Sequence, residues 1–194
     1  MSPNFPDLSR FRNDKYSHGR SLPIRLLWIA CEALFLKNPL SVWSEGKATL
    51  LRLFGAKIGK GVVIKPSLSI KHPWLLEVGD HCWLGEQAWI DNLAPVRIER
   101  DCCLSQGALL LTGNHNYSKV TFDFLCRPIV LKRGSWVGAR AVVCPGVTIG
   151  EGAILSVGAV ASHDLEPWGI YQGTPALKVR ERIVTEEGLR YAGT

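Results

Sequence analysis

Residues 131–155 read LKRGSW VGARAV VCPGVT IGEGAI L, and the sequence falls into sixes. Each block opens on an aliphatic residue: Leu131, Val137, Val143, Ile149 and Leu155. Four residues after each opener stands a small or modest side chain, at Ser135, Ala141, Val147, Ala153 and Ala159. Glycines recur between them at Gly134, Gly138, Gly146, Gly150, Gly152 and Gly158. This period does not fit the 3.6-residue repeat of an amphipathic α-helix, and it is too slow for simple strand alternation. It fits a short strand followed by a turn, with glycine supplying left-handed backbone conformations. Three hexads close one triangular coil, with the aliphatic residue inside and the small residue where the wall turns. Stacked coils then pair as parallel strands, which makes the fold class an all-β solenoid.

The same marker runs back through the chain. Ile58, Ile64 and Ile70 are six apart, as are Val78, Leu84 and Ile90, and Ile98, Leu104 and Leu110. Two steps are eight residues, Ile70 to Val78 and Ile90 to Ile98, and one is 21, Leu110 to Leu131. The small slot continues through Val62, Cys82, Ala88, Cys102 and Ala108, with Leu68 as a large exception. The spacing predicts about five coils, at 58–75, 78–95, 98–115, 131–148 and 149–166, with an inserted loop at 116–130. An insertion of that length in a regular solenoid points to function. Cys82 and Cys102 sit in the core slot and act there as small hydrophobes. The six cysteines contain no C-x-x-C pair, so zinc or redox chemistry has little support.

Residues 1–57 form an N-terminal arm and helical segment, 58–166 the solenoid, and 167–194 a C-terminal turn and helix. Leu22-Pro23 starts a helix that runs from Ile24 to Leu36 and stops near Pro39, and a second spans Ser44 to Phe54. These helices cap the open end of the first coil. The alternative for residues 22–38 is peripheral membrane contact, because Trp28, Phe35, Arg25 and Lys37 suit an interface. After Pro175, alternating charges predict a short helix from Ala176 to Tyr191.

The chain has 194 residues, one domain's worth or slightly more, and 46% are hydrophobic, enough for a sizeable core. The formal net charge of +6 suits an anionic ligand or surface. The basic residues form no long run, which argues against nucleic acid. Residues 1–20 contain no apolar leader, and Leu26–Leu36 is too short to span a bilayer and contains Glu32. The expected location is the cytoplasm, with its inner membrane face as the alternative.

His115 is the candidate catalytic residue. It lies in the segment Leu111-Thr-Gly-Asn-His-Asn-Tyr117, where the solenoid wall opens into the insertion. Histidine is the natural general base near neutral pH, and a loop root is a place where function concentrates. Asp91 and Asn92 sit on a neighbouring coil and carry a carboxylate and an amide suited to binding ligand hydroxyls. Asp123, inside the insertion, is placed to orient His115 or an acceptor, or to stand as a solvated loop carboxylate.

The most specific stretch runs from Trp136-Val-Gly-Ala139 through Cys144-Pro-Gly-Val-Thr-Ile-Gly150, Gly158-Ala-Val160 and Asp164 to Gly173-Thr-Pro-Ala176, Lys178, Val179 and Arg180. Over roughly 58–182 the chain resembles the hexapeptide-repeat O-acetyltransferases acting on sugars. The segments Trp89-Ile-Asp-Asn92, Thr112-Gly-Asn-His115 and Tyr171-Gln-Gly-Thr-Pro-Ala176 look like the colanic-acid type of polysaccharide-biosynthesis acetyltransferase. The resemblance implies a left-handed parallel β-helix, acetyl-CoA as co-substrate and a homotrimer with CoA in a groove between subunits. It also implies a sugar or glycolipid acceptor and His115 as base. By position, Gly138, Ala139 and Val157 would meet the pantetheine arm, with Ala139 and Val157 offering backbone groups. Arg180 would lie near the CoA phosphates or adenine. Ser162 and His163 stand where the family often has Thr-Lys, so a fixed positive charge is missing there. Trp136 would wall the thiol end or pack on the coil. Two rivals share the fold. A zinc carbonic anhydrase needs three converging histidines, and here Val120 stands five after His115 where a partner histidine would fall, so no metal site is expected. A non-catalytic scaffold is opposed by the intact His115 and C-terminal signature.

Overall fold

The computed structural model describes residues 5–13 and 16–186. The aliphatic markers point inward and close a left-handed β-helix of triangular section. The first coil holds β1 (Lys57–Ile58), β2 (Val63–Ile64) and β3 (Ser69–Ile70). The second holds β4 (Leu76–Val78), β5 (Trp83–Leu84) and β6 (Trp89–Asp91), the third β7 (Val96–Ile98), β8 (Cys103–Leu104) and β9 (Leu109–Leu111). After a hairpin of β10 (Gly113–His115) and β11 (Phe124–Cys126) come β12 (Ile129–Leu131), β13 (Trp136–Val137) and β14 (Val142–Val143). The fifth coil is β15 (Thr148–Ile149), β16 (Ile154–Leu155) and β17 (Val160–Ala161). Strands of equal rank stack as three parallel sheets, β1-β4-β7-β12-β15, β2-β5-β8-β13-β16 and β3-β6-β9-β14-β17.

A partial sixth turn follows, so the solenoid has about six turns where the hexads predict about five. Leu165 bridges to Ile149, and β18 (Gly169–Gln172) pairs with β16. The spacing slips after Ala161, which hid this turn from the periodicity. The C-terminal helix expected at 176–191 is a strand instead. β19 (Leu177–Glu181) pairs antiparallel with β18 and completes its open edge. Leu177 and Val179 alternate with Lys178 and Arg180, a period of two that outweighs the charge pattern. Residues 187–191 of that expected helix lie outside the described residues. The insertion expected as a loop is rooted in the β10–β11 hairpin, with His115 opposite Phe124.

At one corner of the prism, Gly61, His81, Asp101, Gly134, Gly152 and Trp168 all have φ between 58° and 68°. The turn needs a left-handed residue there, and three of the six positions meet it without glycine, at some steric cost. Elsewhere glycine is required by close approach. A Cβ on Gly79 would lie 2.5 Å from the Arg100 backbone nitrogen of the next coil. Cys82 and Cys102 are buried in the wall as expected, their thiols 3.0 Å from the Glu99 and 3.1 Å from the Lys132 carbonyls.

The first coil has no coil beneath it, and an open strand edge needs partners. They come from α1 (Leu22–Cys31), its continuation as a wide π turn (Glu32–Leu36), and α2 (Ser44–Leu53). Trp28 donates its indole N–H to the Ile70 carbonyl at 2.9 Å, and Glu32 accepts from the Ile70 N–H at 2.8 Å. Ser44 accepts from the Ile64 N–H, Lys47 donates to the Ile64 carbonyl, and Arg52 donates to the Ile58 carbonyl. Burial holds the Lys47 ammonium below the ordinary lysine pKa. The capping role expected of residues 20–55 is therefore carried by polar side chains on the inward faces of the helices.

Candidate active site

His115 is held from two sides. Its Nδ1 lies 3.0 Å from the Phe122 carbonyl oxygen, and the Phe122 ring stacks on the imidazole at 4.4 Å and 10°. A carbonyl only accepts, so Nδ1 carries the proton and Nε2 keeps a free lone pair. Phe124 and Phe11 wall the ring at 5.2 and 5.5 Å. Phe122 has φ of +50°, an unfavourable conformation for a bulky residue, and the strained backbone aims its carbonyl at the histidine. The hairpin root is fixed by Thr112, which is fully buried. Its hydroxyl donates to the Asp91 carbonyl at 2.9 Å and accepts from the Ala94 N–H at 3.0 Å.

A cavity of about 490 Å³ opens beside the imidazole. Asp91 lines it, nearly buried, with its carboxylate 2.9 Å from the Lys71 ammonium. Tyr16, His18, Asn13 and Asn114 complete its polar lining. Burial, reinforced by Cys126 and Asp91, pushes the Tyr16 hydroxyl up to about 12, so it stays an O–H donor at neutral pH. Burial likewise lowers His18, helped by Arg25. Asn92 is placed differently from Asp91. It is fully buried, and its amide is spent on the His72 backbone, accepting at 2.9 Å and donating at 2.6 Å. Behind that pair, burial brings His72 down to about 4. Asp123 lies in the insertion rooted at His115. Its carboxylate is engaged by Lys119 and the Thr121 hydroxyl.

The other expected site residues lie on different edges. Trp136 points outward from the second sheet and donates to Ser105 Oγ at 2.8 Å. Gly138, Ala139 and Val157 form turn tips between the second and third sheets. A Cβ on Gly138 would fall 2.7 Å from the Val157 nitrogen, so glycine lets these coils close. The Ala139 and Val157 N–H groups donate to no acceptor among the described residues. Ser162 and His163 are exposed after β17 and bonded to each other at 3.1 Å, on the corner from which the hairpin springs two coils earlier. Arg180 is exposed on β19, paired with Ile170 across the ladder, and its side chain makes no hydrogen bond or ion pair among the described residues. Lys178 is paired with Glu166 and Glu181, and Arg182 donates to the Gly134 and Gly152 carbonyls. One chain thus brings His115 and Asp91 together and sets Gly138, Ala139 and Val157 on another edge.

Sequence reasoning missed Lys71, Tyr16, His18, Asn13 and the Phe122 clamp. Lys71 had a signal. The eight-residue step makes that coil 20 residues long, so Lys71 stacks in register with Asp91. Tyr16 and its neighbours had none, because the arm carries no period.

The family profile described as the hexapeptide repeat of succinyl-transferase matches residues 130–160. The chain is 36% identical over 181 residues to the Escherichia coli K12 protein named "Putative colanic acid biosynthesis acetyltransferase WcaF", covering 93% of this chain and 99% of that one. Among solved structures, a hexapeptide-repeat acetyltransferase of Vibrio cholerae complexed with acetyl-CoA superposes with a TM-score of 0.73 at 24% identity, over 86% of this chain and 92% of that one. A maltose O-acetyltransferase from Clostridium difficile superposes with a TM-score of 0.78 at 18% identity, over 87% and 92%.

Proposed function

Because the chain belongs to the hexapeptide-repeat acetyltransferases, as its match to WcaF establishes, we propose that it transfers acetyl from acetyl-CoA to a sugar hydroxyl with His115 as general base. The observation that carries this reading is the Nδ1–Phe122 hydrogen bond, which leaves Nε2 as a free base at the mouth of a polar cavity. Nε2 takes the proton from the acceptor hydroxyl as its oxygen attacks the thioester carbonyl. The thiolate of CoA leaves and recovers the proton from the imidazolium, so no acyl-enzyme is needed. A free backbone N–H at a turn tip, Ala139 or Val157, is suited to the oxyanion, an interaction worth about 3 kcal/mol. The names of the relatives, one a colanic acid acetyltransferase and one a maltose acetyltransferase, support a sugar acceptor. So does a cavity that pairs Asp91 and Lys71 with aromatic walls.

The proposed homotrimer is supported by the outward faces of the walls. The first sheet points Lys57, Glu77 and Arg97 outward, with Lys57 and Glu77 paired. The second points out Trp83, Cys103, Trp136 and Ile154, and the third Trp89, Leu109, Val142 and Val160. Two different apolar walls on one protomer suit a closed ring of head-to-tail contacts, and three solenoids satisfy it. The groove between chains would bring the turn tips of one to His115 of the next, which a single chain keeps apart. The experiment is thiol release from acetyl-CoA over a panel of sugars and glycolipids, with light scattering for the mass. Acceptor-dependent release by a trimer supports the reading. A folded protein that binds acetyl-CoA and acetylates no sugar contradicts it.

A further inference from the structure

The N-terminal cap is built inside out. From residue 22 to residue 36 every exposed position is apolar: Leu22, Pro23, Ile24, Leu26, Leu27, Ile29, Ala30, Ala33, Leu34 and Phe35. The charged residues of the same segment, Arg25 and Glu32, turn toward the protein. A helix on a soluble surface has the opposite pattern. The inward polarity is explained, because Trp28, Glu32, Ser44, Lys47 and Arg52 satisfy the backbone edge of the first coil. Nothing in the described residues covers the outward face, which continues onto Leu40, Val42, Trp43 and Leu53.

We infer that this face docks on an anionic lipid bilayer. Three observations select lipid over a second copy of the chain. The first is width. At 100° per residue the exposed apolar positions of 22–30 in α1 sweep roughly 200° of the circumference, whereas a packed helix buries a stripe of about 100°. A bilayer surrounds a half-immersed helix, and one protein face does not. The second is the border. The exposed Trp43 and the half-exposed Lys37, whose ammonium also pairs with Glu32 at 3.0 Å, flank the aliphatic run, the residue types that sit at the headgroup level. Arg20 stands at the other end. Glu45, the exposed carboxylate of α2, is neutralised by Arg52, and the chain as a whole is +6. That charge complements an anionic surface. The third is position. The cap closes the end of the solenoid, away from the two apolar walls that would associate side by side. A parallel trimer would present three caps in one direction, so their binding would add by avidity. Among the described residues no helix is long and apolar enough to cross a membrane, so the cap lies on the surface.

Vesicle flotation of the full chain tests the inference, using phosphatidylglycerol–phosphatidylethanolamine vesicles against pure phosphatidylcholine, with the triple substitution Leu26→Glu, Ile29→Glu, Leu34→Glu alongside. These side chains point outward, so the variant should keep its melting temperature and its oligomeric mass. The wild type should float with anionic vesicles and bind neutral ones at least tenfold more weakly, and the variant should lose at least tenfold in partition. A wild type that stays with the unbound protein overturns the inference, as does a variant that floats equally well. A folded variant that falls to lower mass overturns it too, since that result assigns the face to a second copy of the chain.

Discussion

His115 Nδ1 and the Phe122 carbonyl oxygen are 3.0 Å apart, and the ring of the same Phe122 stacks on the imidazole. One residue therefore fixes both the tautomer and the plane of the base, the first through its backbone and the second through its side chain. The two roles separate on mutation. Phe122→Ala keeps the carbonyl and removes the stack, so kcat should fall about tenfold with the KM for acetyl-CoA unchanged. Phe122→Tyr restores the stack and should restore kcat. Steady-state kinetics of the two variants check this.

Asp91 and Lys71 form an ion pair of unequal partners, because Lys71 reaches solvent and Asp91 is nearly buried. Losing the carboxylate leaves a solvated ammonium, so Asp91→Asn should cost about 1 kcal/mol or less in stability. It should raise the acceptor KM about tenfold and leave that of acetyl-CoA alone. Lys71→Met strands the buried carboxylate and should cost more, about 1–3 kcal/mol. Denaturant melts of both variants test the order.

Stability should fall on acidification through His72. Burial lowers its pKa to about 4 from the ordinary 6.5. Between these values the unfolded chain binds the proton and the folded chain does not, so stability rises with pH across that window. Above pH 6.5 the residue contributes no slope. Below it the penalty grows, reaching on the order of 3 kcal/mol near pH 4. His72→Asn should flatten this part of the stability–pH curve in denaturant titrations.

Two glycines of the solenoid should respond differently to alanine. At Gly79 the new Cβ would meet the Arg100 backbone nitrogen at 2.5 Å, which cannot yield without moving a coil. At Gly134 the Cβ meets nothing within 4 Å, and only the φ of +68° is strained. Gly79→Ala should cost about 3 kcal/mol and Gly134→Ala about 1. Thermal denaturation distinguishes them.

The solenoid was legible in the sequence because each coil must place an aliphatic residue in one narrow core at a fixed interval. Leu131, Val137, Val143, Ile149 and Leu155 therefore report the fold without help from the rest of the chain. The last turn was not legible, since the interval slips after Ala161 and Leu165 enters out of step. β19 is hidden in the sequence because the charges of Lys178, Arg180 and Glu181 mask the alternation of Leu177 and Val179. At the site, Asp91 could be placed from its position beside the marker Ile90, and His115 from the root of the insertion. Asn92 adjoins Asp91 in sequence, but the turn of the chain there sends its amide to the backbone of His72. Tyr16 and His18 reach the cavity from an arm whose placement depends on tertiary contact alone.

The central claim is that Nε2 of His115 removes the proton from a sugar hydroxyl during acetyl transfer. Its most direct test is mass spectrometry of the acceptor after incubation with saturating acetyl-CoA, comparing the wild type with a His115→Ala variant that still binds acetyl-CoA. The account predicts a monoacetylated sugar from the wild type and a loss of rate of about 10²–10⁴-fold in the variant. Equal rates of product formation by the two proteins would contradict it.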